Sequence, residues 1–378
     1  MPGLIAHEWI EPRGGSENVL EAIAALYPDA ELITPWNNAP HRFPQRTVHE
    51  LWLARSRLRG RKALSLPVLA AAWRRAVPQE HPYDWVLAST HMFSHHIKPS
   101  GLTVGAPKLV YAHTPARYVW TPELDPRGDN TIARVASLAL RPLDRRRAKE
   151  ATAVAGISRY VADRIAATWE IEATVIYPPV EIVSIQAISD WRTELRGDEL
   201  AILESLPGTF ILGASRFISY KRLDQVIQAG EAVGLPVVLA GSGPEAPQLR
   251  ALAVSASVPV HIIDNPSNAF LYALYQAAAV FVFPPIEDFG IMPIEAMAVG
   301  TPAVGSPFGG SAETILEGVS GVHFDDDSPA ALGRAVARAM ELDRYAVRAA
   351  SSAFSRERFN VAFHGWMTDS LSSHSGHH

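Results

Sequence analysis

The feature that most constrains this chain is a series of short apolar segments, each followed by a stretch with helical periodicity. This alternation predicts parallel strands joined by crossover helices, and therefore sheets that are covered on both faces. The segments in the first half are LIAHEWI, WVLAST, KLVYAH and TVIYPPV, and those in the second half are TFILGAS, PVVLAGSG, VHII, VFVFPP and TPAVGS. The sequence thus predicts an α/β protein with two parallel-sheet domains.

The boundary between the two domains is predicted at a pair of prolines, Pro178 and Pro179. Consecutive prolines end the preceding strand and make a stiff, extended connector. The predicted domains are 1–180 and 181–354, followed by a C-terminal helix at about 355–370 that can pack back on the first domain. A length of 378 residues suits two domains better than one.

Charge and composition exclude several classes of protein. The chain has 34 Lys and Arg against 39 Asp and Glu, a net charge of −5, so it lacks the overall basic field that nucleic-acid binders use. It contains no cysteine, which removes disulfide scaffolds, thiolate zinc sites and cysteine nucleophiles. The opening, MPGLIAHEWIEPRGG, is unlike a secretory signal. We therefore expect a cytoplasmic protein that does not cross a membrane.

The segment PIEDFGIMPIEA, residues 285–296, is the richest candidate for ligand binding. Pro293 is predicted to be the first residue of a helix, because proline favours that position. The amides around it would then form an anion site. Glu287 in the preceding loop and Glu295 in the first turn can accept hydrogen bonds from sugar hydroxyls. Such acidic pairs also occur by chance, and Glu295 can instead complement the helix dipole.

A second candidate site follows the segment TFILGAS. Arg216 and Lys221 are separated by a short loop that can wrap, so both cations can converge on one diphosphate. The alternative is a pair of solvated surface cations, which is the ordinary situation of Arg and Lys.

Weaker candidates lie in the first half of the chain. Gly14 and Gly15 follow the first predicted strand, where backbone without side chains can approach a phosphate and Ser16 can cap the next helix. A tight turn explains these glycines equally well. His113 ends the segment KLVYAH at a predicted sheet end, although isolated histidines are more often structural. Ser158 lacks a G-x-S-x-G elbow and is predicted to be an N-cap rather than a nucleophile.

Taken in chain order, these segments resemble glycosyltransferase family 4, the retaining enzymes of the GT-B fold that use nucleotide sugars. The resemblance rests on GGSE, YAHTPARYVW, GISRYVADRI, VIYPPV, SRFISYKRLD, AGSGPE, EDFGIMPIEAMAVGTPAV and GGSAET. It implies two Rossmann-like domains facing each other across a donor-binding cleft, the first on the acceptor side and the second binding the nucleotide sugar. The AHTPARYVW and EDFGIMPIEAMA stretches look most like bacterial mannosyltransferases that use GDP-mannose.

The resemblance also implies roles for the candidate residues of the second domain. Glu287 matches the acid that contacts the donor sugar, and Glu295 matches the one that contacts the ribose. Arg216 and Lys221 match the clamp on the diphosphate. The amides that approach sugar and phosphate are those of Phe289, Gly290 and Ile291.

In the first domain, Gly14 and Gly15 match the loop that closes over the phosphates, and His113 matches a histidine near O6 of the transferred sugar. The catalytic residues implied are His113, Glu287, Arg216 and Lys221. The segment 7–13 matches the family's glycine loop only approximately.

The implied function is retaining transfer of a hexose, mannose from GDP-mannose, to a glycan or lipid-linked glycan. Two cations and a helix N-terminus can stabilise the departing diphosphate, so neither a metal ion nor another cofactor is expected. The acidic run Asp325–Asp327 lies in a late polar turn and is interpreted as solvated. The alternative function is a nucleotide-sugar epimerase of similar two-domain fold, which would need no acceptor.

Residues 42–75 carry a local positive charge. They contain nine Arg and Lys against one acid, Glu50, interleaved with leucines and tryptophans. This mixture suits the headgroup layer of an anionic membrane, and it predicts peripheral binding to the inner face of the cell membrane. The alternative is a solvated helix that packs its apolar side on its own domain.

Overall fold

The structure is a computed structural model that describes residues 2–121 and 131–375. The strands are β1 (Gly3–His7), β2 (Glu31–Thr34), β3 (Val48–Glu50), β4 (Trp85–Thr90), β5 (Lys108–Ala112), β6 (Ala153–Gly156), β7 (Thr174–Val175), β8 (Ile211–Arg216), β9 (Val237–Ser242), β10 (Val260–Asp264), β11 (Val280–Phe283), β12 (Ala303–Gly305) and β13 (Gly321–His323). The α-helices are α1 (Gly15–Leu26), α2 (Lys62–Arg74), α3 (Arg117–Trp120), α4 (Thr131–Ala148), α5 (Arg159–Trp169), α6 (Ile182–Ala187), α7 (Glu199–Ser205), α8 (Leu223–Val233), α9 (Ala246–Ser255), α10 (Asn268–Ala277), α11 (Ile291–Ala298), α12 (Ser311–Thr314), α13 (Pro329–Met340), α14 (Arg344–Ala350) and α15 (Arg356–Ser375).

The chain divides into two compact units. The first unit comprises Met1–Pro179 together with Glu357–His378, and the second comprises Val180–Arg356. The proline pair at 178–179 is therefore the point at which the chain leaves the first unit. No helix of the described residues is both long enough and apolar enough to span a bilayer.

The first unit is built on a seven-stranded sheet in the order β3-β2-β1-β4-β5-β6-β7. Its strand pairs are all parallel, and β1, β4 and β5 are buried along their whole length. Burial on both faces explains why these three strands form nearly continuous apolar runs. The strand order reverses between β1 and β4, and ligands of such sheets bind at the carboxyl ends beside that reversal.

The last helix, α15, packs on the first unit. The ring of Phe363 lies 5.4 Å from the ring of Tyr111 on β5, and His364 stacks 6.2 Å from Tyr27 at the end of α1. Phe363 is completely buried. The sheet of the first unit is thus covered in part by residues from the far end of the chain.

The second unit has a six-stranded parallel sheet in the order β10-β9-β8-β11-β12-β13. Its core combines Ile211 of β8, Leu239 of β9 and Val282 of β11 with Leu332 and Val336 of α13, all of them buried. Here the strand order reverses between β8 and β11. The loops after these two strands therefore flank the position where a ligand is expected.

The basic stretch 42–75 is not one helix, which corrects the alternative considered for it. It contains the short edge strand β3, a 3-10 turn at Trp52–Arg55 and the helix α2, which includes Pro67. The alternation of charged and apolar residues here arises from several short elements with different exposed faces.

Candidate functional site

The carboxyl ends of β8 and β11 bring three of the predicted site residues to one edge of the second sheet. Arg216 is the last residue of β8, and Lys221 ends the 3-10 turn that follows it. Glu287 lies in the loop after β11. Because β8 and β11 are parallel neighbours, their loops adjoin where the strand order reverses.

Lys221 and Glu287 form an ion pair in which the lysine Nζ donates to Oε1 of the carboxylate. Only 11 % of the Lys221 side chain and 19 % of the Glu287 side chain are exposed. The ammonium group also lies 5.3 Å from the ring centre of Tyr220 and 5.8 Å from that of Phe283. The sequence predicted these residues on different parts of a donor, whereas the structure joins them directly.

Arg216 differs from Lys221 in its surroundings. Its side chain is exposed, and Nη2 donates to the Tyr220 hydroxyl at 3.2 Å. Within the described ranges no carboxylate forms an ion pair with it. Among the described residues, the edge therefore presents Arg216 without an acidic partner beside Lys221, whose charge is already neutralised.

The helix α11 begins at Ile291, two residues before the predicted start at Pro293. Gly290 precedes it with φ +93°, a conformation that glycine adopts without strain. Pro293 is thus the third helical residue, where its missing N–H costs little because the first amides of a helix have no acceptor within it. The amides of Ile291 and Met292 remain available to an anion.

Gly310 holds the loop that carries Glu287. The amide of Gly310 donates to the Glu287 carbonyl at 2.7 Å, and a Cβ on Gly310 would lie 2.3 Å from the Cα of Phe289. This close backbone approach requires glycine. The ring of Phe289 packs against Phe354 at 5.8 Å, so only the backbone of Phe289 can serve a ligand.

Glu295 lies in the second turn of α11 rather than the first, because the helix starts earlier than predicted. The Tyr272 hydroxyl donates to Oε1 of this carboxyl group at 3.4 Å. Desolvation raises the pKa of Glu295 to about 7. Its carboxyl group is therefore divided between protonated and ionised forms near neutral pH.

Replacing Glu295 with glutamine is expected to stabilise the protein more at about pH 8 than at about pH 5. The raised pKa of Glu295 contributes stability that is fully present below the unfolded value of 4.5 and is lost as pH rises through about 7. Glutamine removes this dependence. Thermal unfolding of both proteins at the two pH values measures the effect, with exposed Glu341→Gln as control. Equal differences at both pH values would contradict the raised pKa.

The glycine pair of the first unit lies where α1 begins. Gly14 precedes the helix in an extended conformation, and Gly15 is its first residue. Ser16 does not cap the helix as predicted, because its hydroxyl donates instead to Oε2 of Glu17 at 2.8 Å. A Cβ on Gly14 would lie 1.9 Å from that same carboxylate oxygen. An acid thus occupies the space beside the predicted phosphate loop.

His113 directly follows β5 and keeps 9 % of its surface exposed. Its amide donates to the Thr90 carbonyl at 2.7 Å, and its Nε2 lies 2.9 Å from the Ser89 hydroxyl. Burial lowers the pKa of His113 to about 4, so the ring is neutral at physiological pH. Its environment is one of hydrogen bonding rather than charge.

Two histidines close to His113 were not predicted as site residues from the sequence. The rings of His7 and His91 each lie 6.2 Å from the His113 ring. His7 ends β1 and His91 follows β4, the two strands between which the order of the first sheet reverses. The sequence signal that could have identified them is that each of these histidines comes at the end of an apolar run.

In the described part of the chain, one group of side chains has donor atoms close enough for a metal ion, namely His95, His96 and Asp144. The Asp144 carboxylate accepts hydrogen bonds from His96 at 2.9 Å and from the indoles of Trp120 and Trp169 at 2.7 and 2.8 Å. Although burial raises the pKa of Asp144, the nearby His95 and the hydrogen bond from His96 hold it well below its usual range. The group serves as a buried anchor between α4 and the segment after β4.

Comparison with known proteins identifies part of the chain directly. Residues 202–356 match the family model described as glycosyl transferases group 1. This range includes Arg216, Lys221, Glu287 and Glu295.

Two curated relatives illustrate the similarity. A D-inositol 3-phosphate glycosyltransferase of Geodermatophilus obscurus is 38 % identical over 139 residues, covering 33 % of this chain and 29 % of that protein. A GDP-mannose-dependent alpha-(1-6)-phosphatidylinositol monomannoside mannosyltransferase of Mycolicibacterium smegmatis is 27 % identical over 208 residues, covering 51 % of this chain and 54 % of that protein. The matched part thus spans about a third to about half of these relatives.

Solved structures resemble the chain over nearly its whole length. HepE of Anabaena, solved in complex with UDP, has a TM-score of 0.69 at 17 % identity and covers 98 % of this chain and 100 % of its own. Sucrose-phosphate synthase of Thermosynechococcus elongatus has a TM-score of 0.69 at 18 % identity, covering 98 % and 99 %. The predicted fold class, α/β with two Rossmann-like GT-B domains, is confirmed. Residues 202–356 thus match the group 1 glycosyltransferases, in agreement with the family that the motifs of this chain resemble.

Proposed function

We propose that this chain is a retaining glycosyltransferase that binds its nucleotide-sugar donor at the edge formed by β8 and β11 and transfers a hexose to a glycan or lipid-linked glycan. The observation that carries the proposal is the Lys221–Glu287 ion pair beside the start of α11. It joins a cation for phosphate to an acid for sugar hydroxyls at the place where such sheets bind ligands.

The chemical task of this edge is to stabilise the negative charge that grows on the departing diphosphate. Arg216, Lys221 and the first amides of α11 supply positive charge and hydrogen-bond donors for it. Groups held in place before the reaction do not have to reorganise during it. The ion pair with Glu287 and the two aromatic rings hold Lys221 in this way.

Glu287 has two tasks in this proposal. Its carboxylate accepts hydrogen bonds from donor-sugar hydroxyls, and it keeps Lys221 charged and oriented before the donor arrives. Glu295, in the second turn of the same helix, accepts a hydrogen bond from the ribose in its ionised form. Donor binding then favours ionisation of Glu295 against the desolvation that raises its pKa to about 7.

Mannose from GDP-mannose is the proposed donor. The relative from Mycolicibacterium smegmatis is named for its dependence on GDP-mannose. HepE, in contrast, was also solved in complex with UDP-glucose, and that structure matches this chain with a TM-score of 0.70. Calorimetric titration with GDP-, UDP-, ADP- and dTDP-sugars tests the choice. GDP-mannose is expected to bind most tightly. If another sugar nucleotide binds more tightly, that compound is the donor and GDP-mannose is not.

Incubation with the donor alone tests the reaction type. A glycosyltransferase without acceptor gives at most slow hydrolysis, with release of the free nucleoside diphosphate. The appearance of a different nucleotide sugar would overturn the proposal in favour of an epimerase, an alternative that the family match does not support.

We extend the proposal to peripheral membrane binding through five exposed residues that lie close together in the sequence and are named the stripe here: Trp52, Arg55, Arg57, Arg61 and Leu64. Trp52 is 57 % exposed and Leu64 is 61 % exposed, and the three arginines are also exposed. Cations with apolar neighbours of this kind suit an anionic headgroup layer.

Fewer cations of residues 42–75 are available to a membrane than the sequence suggested, because several of them already have partners within the first unit. The cations with such partners are Arg42 on Glu21, Arg59 on Glu50, Lys62 on Glu11, Arg74 on Glu150, and Arg46 on the carbonyls of residues 27 and 30. These residues contribute less to an external field than their number suggests.

Neutralising Arg55, Arg57 and Arg61 with glutamine is expected to weaken adhesion to anionic vesicles roughly a hundredfold at low salt, at about 1 kcal/mol for each residue. Co-sedimentation with anionic and neutral vesicles measures it. A control for the change in net charge replaces three exposed, ion-paired arginines of the second unit, Arg192, Arg334 and Arg338. Equal binding to both vesicle types, or equal loss in the control, would contradict membrane binding by the stripe.

A further inference from the structure

A cluster of three histidines lies at the carboxyl end of the first sheet, with His7 ending β1, His91 following β4 and His113 following β5. Their ring centres are 6.1–6.2 Å apart in each pair. The strand order of this sheet reverses between β1 and β4, so the cluster lies where a ligand of the first unit is expected.

A single hydroxyl group joins two of these rings. The Ser89 Oγ lies 3.0 Å from Nδ1 of His7 and 2.9 Å from Nε2 of His113, and Ser89 is fully buried. A serine hydroxyl has one proton. Because the buried Ser89 hydroxyl has no acceptor other than these two rings among the described residues, it donates to one ring and accepts from the other, so the proton positions on His7 and His113 are linked.

All three rings are neutral at physiological pH. Burial lowers the pKa of His113 to about 4 and that of His91 to about 3, and it lowers the pKa of His7 well below its usual value. Lys62 adds to the effect on His91, and Arg42 adds to that on His7. A neutral imidazole has one N–H and one acceptor nitrogen, so each ring has a definite tautomer.

Two observations give the direction of the hydrogen-bonded chain. The ring nitrogen of His7 that faces Ser89 is Nδ1, which lies 3.0 Å from the hydroxyl oxygen. The opposite direction would place the His7 proton on Nε2, which is buried and has no partner among the described residues. Orphaned buried N–H groups are rare in proteins.

We propose that Ser89 and His7 are positioning residues that hold His113 in its Nδ1–H tautomer, so that His113 offers an N–H donor to a hydroxyl oxygen of the sugar substrate. His7 donates to Ser89, and Ser89 donates to Nε2 of His113. The proton of His113 therefore lies on Nδ1, a nitrogen with no hydrogen-bond partner in the described residues. The role toward the sugar rests on the proposed function, whereas the tautomer does not.

Nitrogen NMR of the full chain labelled with ¹⁵N-histidine tests the tautomer without any substrate. His113→Gln identifies the His113 signals. The expected spectrum shows a protonated Nδ1 and an unprotonated Nε2 on His113 at about pH 7. Protonation at Nε2 in the unmodified protein would overturn the proposal, and this result does not depend on how any variant folds.

Two variants of Ser89 then test its part. Ser89→Ala removes the hydroxyl and is expected to move the His113 proton partly to Nε2, whereas Ser89→Thr keeps the hydroxyl and the tautomer. An unchanged His113 spectrum in Ser89→Ala would overturn the positioning role.

The kinetic test separates this inference from the proposed function. If GDP-mannose is the donor, Ser89→Ala is expected to raise its KM about fivefold, the effect of one hydrogen bond, with kcat less affected and KM restored in Ser89→Thr. A KM unchanged in Ser89→Ala would overturn the role of the tautomer in substrate binding. Absence of transfer with every sugar nucleotide would refute the proposed function, while the spectra would still decide the tautomer.

Discussion

Replacing Glu287 with alanine is expected to lower turnover at least about tenfold, a loss of roughly 1.4 kcal/mol of transition-state stabilisation. The variant loses the acceptor for donor-sugar hydroxyls and releases the Lys221 ammonium from its partner. Steady-state kinetics with the donor identified by calorimetry measure the loss. Thermal unfolding of the same variant measures how far the loss of the partner of the largely buried Lys221 ammonium group lowers stability, separately from turnover.

Two further variants sharpen this test. Glu287→Gln keeps the shape and removes the charge, so an effect as large as that of alanine indicates that the charge matters. Glu341→Ala removes an exposed acid from the same unit and is expected to leave turnover unchanged. Wild-type turnover in Glu287→Ala would refute the role of this residue.

Replacing Lys221 with alanine is expected to weaken binding of the free nucleoside diphosphate at least about tenfold, with a much smaller effect on the nucleoside. The loss should exceed that of Arg216→Ala. Removing Lys221 leaves the Glu287 carboxylate uncompensated beside the diphosphate, whereas Arg216 has no acidic partner in the described ranges. Calorimetric titration with both ligands measures the difference, with Arg334→Ala as the control.

The ion pair makes a further prediction for the double variant. In Lys221→Ala with Glu287→Ala, both the cation and the acid that would repel the diphosphate are absent. The double variant is therefore expected to bind the nucleoside diphosphate more tightly than it would if the effects of the two single substitutions were simply added. Strict additivity, or equal weakening of nucleoside and nucleoside diphosphate, would contradict this assignment.

The parts of the fold that the sequence predicts well are the strands buried on both faces. β4 and β11 stand out as apolar runs, because parallel strands covered by helices need no polar face. Ser158 is also as predicted, since its hydroxyl accepts from the amide of Val161. The short strands β2, β3, β6 and β13 were missed, because three or four residues give no clear alternation.

Local rules failed where several of them competed. Proline at the first helical position is a common pattern, yet α11 begins before Pro293 because Gly290 supplies the positive φ that turns the chain into the helix. Ser16 has the side chain of a helix cap, but its hydroxyl donates a hydrogen bond to the neighbouring Glu17 carboxylate instead.

Contacts between residues that are distant in the chain could not be predicted from the sequence. Lys221 and Glu287 are 66 residues apart, and only the adjacency of β8 and β11 brings them together. The same holds for His7 and His113, which depend on the neighbouring positions of β1, β4 and β5 in the sheet. The count of charges within residues 42–75 likewise did not include Glu21, which lies outside that stretch and neutralises Arg42.

The assignment of α15 to the first unit has a consequence for synthesis on the ribosome. The second unit is one uninterrupted stretch, Val180–Arg356, whose ends meet through the Val180 amide on the Phe354 carbonyl at 3.0 Å. It can complete its fold as soon as it emerges. The first unit, although made earlier, must wait for the last helix to cover Tyr27 and Tyr111. Until α15 has been made, these aromatic surfaces stay open to water and to chaperones.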